Sequence, residues 1–137
     1  MQNATELQPE PTNGPRPIAA IINDLSRPVN PARLKTRKQG SATLQYLPWH
    51  GACAYLDHYT GGHWNYEIKS VAEVGGMCVV TVRITVVASD GSFYREATGI
   101  EPMDTKGYGD PVSNASSMAL RRAAAHFGLA RHLYDKP

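Results

Sequence analysis

Long apolar runs are absent from this 137-residue chain. No stretch is long enough or apolar enough to span a bilayer, which takes about 20 residues in a helix. The N-terminus lacks a basic segment followed by an apolar core, so a secretory signal is not expected. Cysteine is scarce. Cys53 and Cys78 fall in different predicted elements, with no CxxC pair and no disulfide framework. That usage suits a reducing compartment, and the expected location is cytoplasmic. No GxxxxGK[ST] loop is present to cradle a nucleoside triphosphate, so ATP use is not expected. No serine sits in a GxSxG elbow. The acids Glu67, Glu73, Asp90, Glu96 and Glu101 are scattered over strands and turns, without the pairing that general acid–base chemistry needs. The residues build no convincing enzyme.

A metal site could be drawn from His50, His58 and His63 with Cys53, Asp57 and Cys78. His50 and Cys53 would share a helical face. But Cys53 also completes an apolar stripe, and HExxH and paired CxxC are both missing. The expectation is therefore no metal and no other cofactor.

What is present is an uneven distribution of charge. The net charge is a mild +2. Between Arg16 and Lys38, however, stand Arg16, Arg27, Arg33, Lys35, Arg37 and Lys38 against the single acid Asp24. Such a run is either a solvated surface or a phosphate-contacting segment.

The chain length fits one domain with a real core. Residues 1–15 are polar and rich in Pro and Asn, and are expected to form a flexible N-terminal tail, leaving 16–137 as the domain. Ile18, Ile21, Ile22 and Leu25 recur at helical spacing after Pro17, and Pro28 and Pro31 end that helix. The basic segment from Arg33 to Gly40 reads as loop or extended chain, and Leu44 to Leu47 as a short strand. Pro48 opens a second helix with Trp49, Ala52, Cys53 and Leu56 as its apolar stripe, stopped by Gly61-Gly62. Trp64–Val74, Met77–Val87 and Phe93–Gly99 read as three strands joined by turns at Gly75-Gly76 and Ser89-Asp90-Gly91. In the long middle strand Val80, Val82, Ile84 and Val86 alternate with Thr81, Arg83 and Thr85, so one face is buried. Glu101 to Val112 reads as a loop. A last helix is expected from Ser113 to Phe127, capped by Ser113 or Asn114 and ended at Gly128. The predicted fold is α+β, an antiparallel meander covered by helices.

The last helix carries the adjacent pair Arg121-Arg122, with Leu120, Ala123, Ala124 and Phe127 on its apolar face. Adjacent helical positions lie about 100° apart. Taken alone, the pair reads as two solvated surface arginines, which are common, or as two guanidiniums gripping successive phosphates. Tyr46, Tyr66, Tyr94 and Tyr108 could stack on bases, or serve the core or a subunit interface.

Four stretches, in order, resemble the Rad-fifty-two-type single-strand annealing proteins and their bacterial and phage relatives of the DNA-damage-response-protein-A kind. They are Leu25-Ser26-Arg27-Pro28 with Leu34-Lys35-Thr36-Arg37; Tyr46 through Leu56-Asp57 to Tyr59-Thr60-Gly61-Gly62-His63-Trp64; Val79–Val87 with Asp90-Gly91-Ser92 and Gly99; and Ala119-Leu120-Arg121-Arg122-Ala123 with Phe127-Gly128 and Leu133-Tyr134-Asp135. The resemblance implies a β-β-β-α core, assembly of identical subunits into a closed ring, and single-stranded DNA held in a basic groove with its bases exposed. Complementary strands then anneal without ATP or metal, in recombination and DNA repair. It implies that Arg121 and Arg122 line the groove with Arg37, and that Lys35 and Lys38 are neighbours of Arg37. Lys69 and Arg83, on predicted strands, are expected to extend the basic track.

The chain departs from the family pattern in places. Ser117 and Met118 stand where an acid often precedes the basic pair, and Ala125 where a third base sometimes follows. Gly75-Gly76 occupies the turn where members with an outer DNA site carry a base, so an outer site is not expected. Nor is a partner-recruiting tail, since the sequence ends at Pro137. Two rival readings remain at this level: a plain single-strand-binding module, and a metal-dependent nucleic-acid enzyme using His50, Asp57, His58 or His63.

Overall fold

The computed structural model describes residues 14–105, 107 and 109–134. The expected N-terminal tail therefore lies, as far as residue 13, outside the described residues, as does Tyr108. Helix α1 (Ile18–Leu25) is followed by a single 3-10 turn over Pro31–Arg33, strands β1 (Lys35–Gln39) and β2 (Ala42–Tyr46), and helix α2 (Trp49–Thr60). Strands β3 (Trp64–Val74), β4 (Met77–Ala88) and β5 (Gly91–Pro102) come next, then helix α3 (Pro111–His126) and a 3-10 turn over Arg131–Tyr134. The architecture is the expected α+β arrangement. β3, β4 and β5 form an antiparallel meander, and β1 and β2 a separate antiparallel ribbon. No helix among the described residues is long and apolar enough to cross a membrane.

The meander follows from local chemistry. Gly75 and Gly76 both take positive φ, the conformation of a two-residue hairpin turn whose twist matches the strands. Period-two alternation then sends Val80, Val82, Ile84 and Val86 into the core, each fully buried. α3 packs across β4 and β5, and the approach is close at Gly99. A Cβ there would run into the Ala115 carbonyl and the Ala119 amide. The alanines Ala115, Ala119, Ala123 and Ala124 keep the helix side of that contact thin, and Phe127 plugs its end. Gly128 follows with φ 111°, and Ser26 occupies the space its Cβ would need.

Two helical details differ from the sequence pattern. The buried face of α2 runs through Ala52, Tyr55, Leu56 and Tyr59, while Trp49 is half exposed and Cys53 only partly covered. The tyrosine rings are apolar bodies with polar tips, and burying both rotates the helix about its axis. The Tyr55 hydroxyl then accepts from the Asn30 amide at 3.3 Å. The N-cap of α3 is Asp110, three residues before the expected start: its Oδ1 accepts from the Ser113 amide at 2.8 Å. Pro111 then occupies the first turn, where its missing N–H costs nothing.

α3 covers the sheet unevenly. On β3 the residues aligned with the buried side of β4 are Tyr66, Ile68 and Val71, opposite Ile84, Val82 and Val80. Tyr66, Ile68 and Val71 are each about half exposed. A bulge between Ile68 and Ser70 leaves Lys69 out of the ladder.

Candidate nucleic-acid interface

The β1–β2 ribbon stands beside the C-terminal half of α3, and a cavity of about 300 Å³ lies between them. Arg37 enters from β1, Tyr46 from β2, Arg121 and Arg122 from α3, and Tyr134 from the 3-10 turn that follows it. Register explains the β1 contribution. Arg37 aligns with Leu44 and Lys35 with Tyr46, so Lys35 and Arg37 share one face of the ribbon. Lys38 aligns with Thr43 on the other face. Leu44, Leu47, Leu129 and Leu133 make the floor apolar.

Arg121 is the most constrained of the three arginines. Its guanidinium carbon lies 5.0 Å from the Tyr46 ring centroid, and its Nε donates to the Ser117 carbonyl at 3.3 Å. Burial pushes the guanidinium below its ordinary value. Arg37 and Arg122 push the same way, while Tyr134 and Tyr46 oppose them. An arginine stays protonated regardless, so burial here leaves a partly desolvated cation in the cavity wall and does not discharge it. Arg122 is exposed, and its Nη1 donates to the Thr98 carbonyl at 3.0 Å, which fixes its direction. Among the described residues, neither Arg37, Arg121 nor Arg122 has a carboxylate partner, and no acid lines the cavity.

Elsewhere the cations are mostly engaged. Arg16 and Arg27 converge on Asp24 at 2.6 and 3.4 Å. Arg33 stacks over Tyr55. The basic run from Arg16 to Lys38 is thus divided, and only its β1 portion reaches the cavity. Arg83 lies on the sheet face turned away from α3, with Nε 2.7 Å from Glu96 Oε2 and its guanidinium 3.9 Å above the Tyr94 ring. Lys69, at the bulge, pairs with Glu67 at 3.3 Å. The structure therefore gathers Arg37, Arg121 and Arg122, keeps Lys35 and Lys38 on the same ribbon, and does not bring Lys69 or Arg83 into the cavity. Of the candidate stacking rings, Tyr46 is at the cavity, while Tyr66 and Tyr94 stand exposed on β3 and β5.

Sequence reasoning assigned no role to Tyr134 or Met118, which both line the cavity. Met118 stands one turn before Arg122, and helical periodicity alone would have found it. Tyr134 reaches the cavity only because the chain turns back after Gly128. Among the described residues, no three His, Cys, Asp or Glu side chains are grouped to hold a metal. Asp57 instead accepts from Trp64 Nε1 at 2.6 Å, and Cys53 and Cys78 are both free thiols.

The run β3–β4–β5–α3 is a β-β-β-α unit whose helix carries arginines that have no carboxylate partner among the described residues, the core that the sequence resemblance implies. Residues 17–137 match the Rad52/22 family of double-strand break repair proteins, and the chain belongs to that family. It is 38% identical over 129 residues to DNA repair RAD52-like protein 1, mitochondrial, of Arabidopsis thaliana, covering 92% of this chain and 73% of that protein. It is 36% identical over 126 residues to DNA repair RAD52-like protein 2, chloroplastic, of the same plant, covering 88% of this chain and 62% of that protein. Both relatives are plant proteins, and what these matches establish is the family.

Proposed function

We propose that this chain binds single-stranded DNA through Arg37, Arg121 and Arg122 and promotes annealing of complementary strands in recombination and DNA repair, without ATP and without bond chemistry. The observation that carries this reading is the convergence of three arginines on one cavity with no carboxylate among the described residues that line it. A phosphodiester supplies the charge they lack, and a guanidinium binds it through paired N–H donors. Phosphate contact is independent of sequence, as an annealing protein requires. Lys35 and Lys38 lie alongside on the ribbon. Lys69 and Arg83, each paired with a glutamate outside the cavity, are left out of this contact set. Family membership and the two DNA repair relatives point the same way. The domain is taken as 16–137, and the cytoplasmic setting suggested by two unpaired cysteines is part of the same proposal.

Annealing is downhill once strands meet, so the protein need only reduce repulsion between them and remove competing secondary structure. Identical subunits side by side multiply weak contacts by raising effective concentration. The uncovered apolar strip of Tyr66, Ile68 and Val71 supports assembly of such subunits, in a ring if the interface closes. Tyr66 and Ile68 line a groove with Trp49, Val112 and Ser116, and the buried Ser116 Oγ has no hydrogen-bond partner among the described residues.

The test mixes complementary oligonucleotides with the protein in EDTA, without ATP, and follows duplex formation. Acceleration over the protein-free rate is expected. Binding without acceleration would leave a protective single-strand-binding module, and cleavage dependent on added metal would favour an enzyme.

A further inference from the structure

Arg122 and Tyr134 belong to two concavities at once. Besides the cavity against the β1–β2 ribbon, they line a second, more open one of about 620 Å³ between the C-terminal end of α3 and β5. Its other polar groups are Thr98, His126 and Arg131, over a floor of Ala97 and Ala125. No acid lines it.

The positions of these groups follow from helix geometry. Arg122 and His126 are four residues apart, so they lie on one face of α3 just over a turn from each other, about 6 Å along the axis. That is comparable to the step between adjacent phosphates on an extended strand. A helix C-terminus ordinarily repels an anion, because its last carbonyls have no partners and carry the negative end of the dipole. Here Arg131 removes that obstacle. Its Nε donates to the Ala125 carbonyl at 2.9 Å and its Nη2 to the His126 carbonyl at 3.0 Å. The guanidinium thus covers the repelling carbonyls with positive charge and keeps further N–H donors. Arg122 is itself held toward this side by its bond to the Thr98 carbonyl. His126 is exposed and its side chain has no hydrogen bond among the described residues.

We propose that the phosphate track of this chain continues past Arg122 into the second concavity, where His126 and Arg131 take the next phosphate of the same single strand. This rests on the groove reading above and extends it in one direction. The strand would run along the C-terminal half of α3, from the Arg37 side toward β5, and not across the open face of the sheet.

The test is the salt dependence of binding to a labelled single-stranded oligonucleotide, read as log K against log salt. Each phosphate contact contributes about 0.7 to that slope for a single strand. His126→Arg is expected to tighten binding and steepen the slope by about 0.7. His132→Arg adds the same charge on the neighbouring exposed turn, outside the concavity, and is expected to leave the slope near wild type. No change in His126→Arg, or an equal change in His132→Arg, would overturn the extension. Arg121→Ala with Arg122→Ala separates the two readings. If that double variant flattens the slope while His126→Arg does nothing, the track ends at Arg122 and only the extension fails. If the double variant leaves the slope intact, the groove reading fails, and the extension with it.

Discussion

Arg121 is held over the ring of Tyr46, 5.0 Å from its centroid, so the central cation of the cavity is positioned by an aromatic face and not by a carboxylate. The difference matters for binding. A carboxylate would position the guanidinium equally well but would also neutralise it, and an incoming phosphate would have to displace it. The Tyr46 face orients the charge and, with Nε bonded to the Ser117 carbonyl, leaves the Nη groups available. Arg83 shows the contrast, since its guanidinium has both a ring and a glutamate.

The ring of Tyr46 is expected to matter more than its hydroxyl. A cation–π contact contributes about 0.5–1 kcal/mol at an exposed site and more when desolvated. Tyr46→Phe is therefore expected to bind single-stranded DNA nearly as wild type, and Tyr46→Ala several-fold more weakly, by fluorescence anisotropy. Equal losses in the two variants would assign the effect to the hydroxyl.

Arg121→Ala combined with Arg122→Ala is expected to weaken binding and reduce the salt slope by about 1.4, two contacts' worth on a single strand. Arg83→Ala is expected to leave the slope unchanged, because that cation lies on the other face of the sheet and is already paired. A slope that falls with Arg83→Ala would move the strand to the open face.

Gly99→Ala is expected to destabilise the fold while touching no proposed contact. The added methyl meets the backbone of α3 at Ala115 and Ala119, which cannot rotate aside as a side chain could. Overpacking of this kind costs about 1–3 kcal/mol, occasionally more. Thermal unfolding measures it, and an unchanged Tm would mean that α3 stands further from β5 than described.

Asp110 links the start of α3 to pH. Hydrogen bonds from the Ser113 amide and hydroxyl hold its carboxyl below the ordinary carboxylate range. A carboxyl depressed in the folded state stabilises the fold above its unfolded pKa, about 3.9, and that stability is lost as pH falls through the folded value. Asp110→Ala is expected to lower Tm at neutral pH, and the gap from wild type to close in acid below the folded value. A gap independent of pH would show that the carboxylate charge contributes nothing.

Ile68→Glu and Val71→Glu place charge on the uncovered strip of β3 without entering the buried core. Each is expected to shift the assembly toward smaller species in mass photometry while the monomer keeps its circular dichroism spectrum. An unchanged mass distribution would locate the subunit contact elsewhere.

Much of the fold was legible because its signals are local. The alternation of Val80, Val82, Ile84 and Val86 against Thr81, Arg83 and Thr85 states which face is buried, and Gly75-Gly76 states where the chain turns. β3 matches its predicted bounds for that reason. The start of α3 was less legible. Asp110 caps it after a loop that contains Gly107 and Gly109, and the expected serine and asparagine caps are equally good residues three and four positions later. The rotation of α2 was hidden because Tyr55 and Tyr59 do not read as apolar in a pattern, although their rings are.

The sequence by itself determined the strands, the amphipathic helix with its Arg121-Arg122 pair, and, through the order and spacing of short motifs, the family. It could not determine which cations are free. Arg37 is far from Arg121 in the chain and joins it only because the β1–β2 ribbon stands beside α3. Arg83 is neutralised only because the register of β4 and β5 sets it opposite Glu96. Secondary structure is written in neighbouring residues. Electrostatic compensation depends on distances between residues remote in sequence, and packing alone sets those.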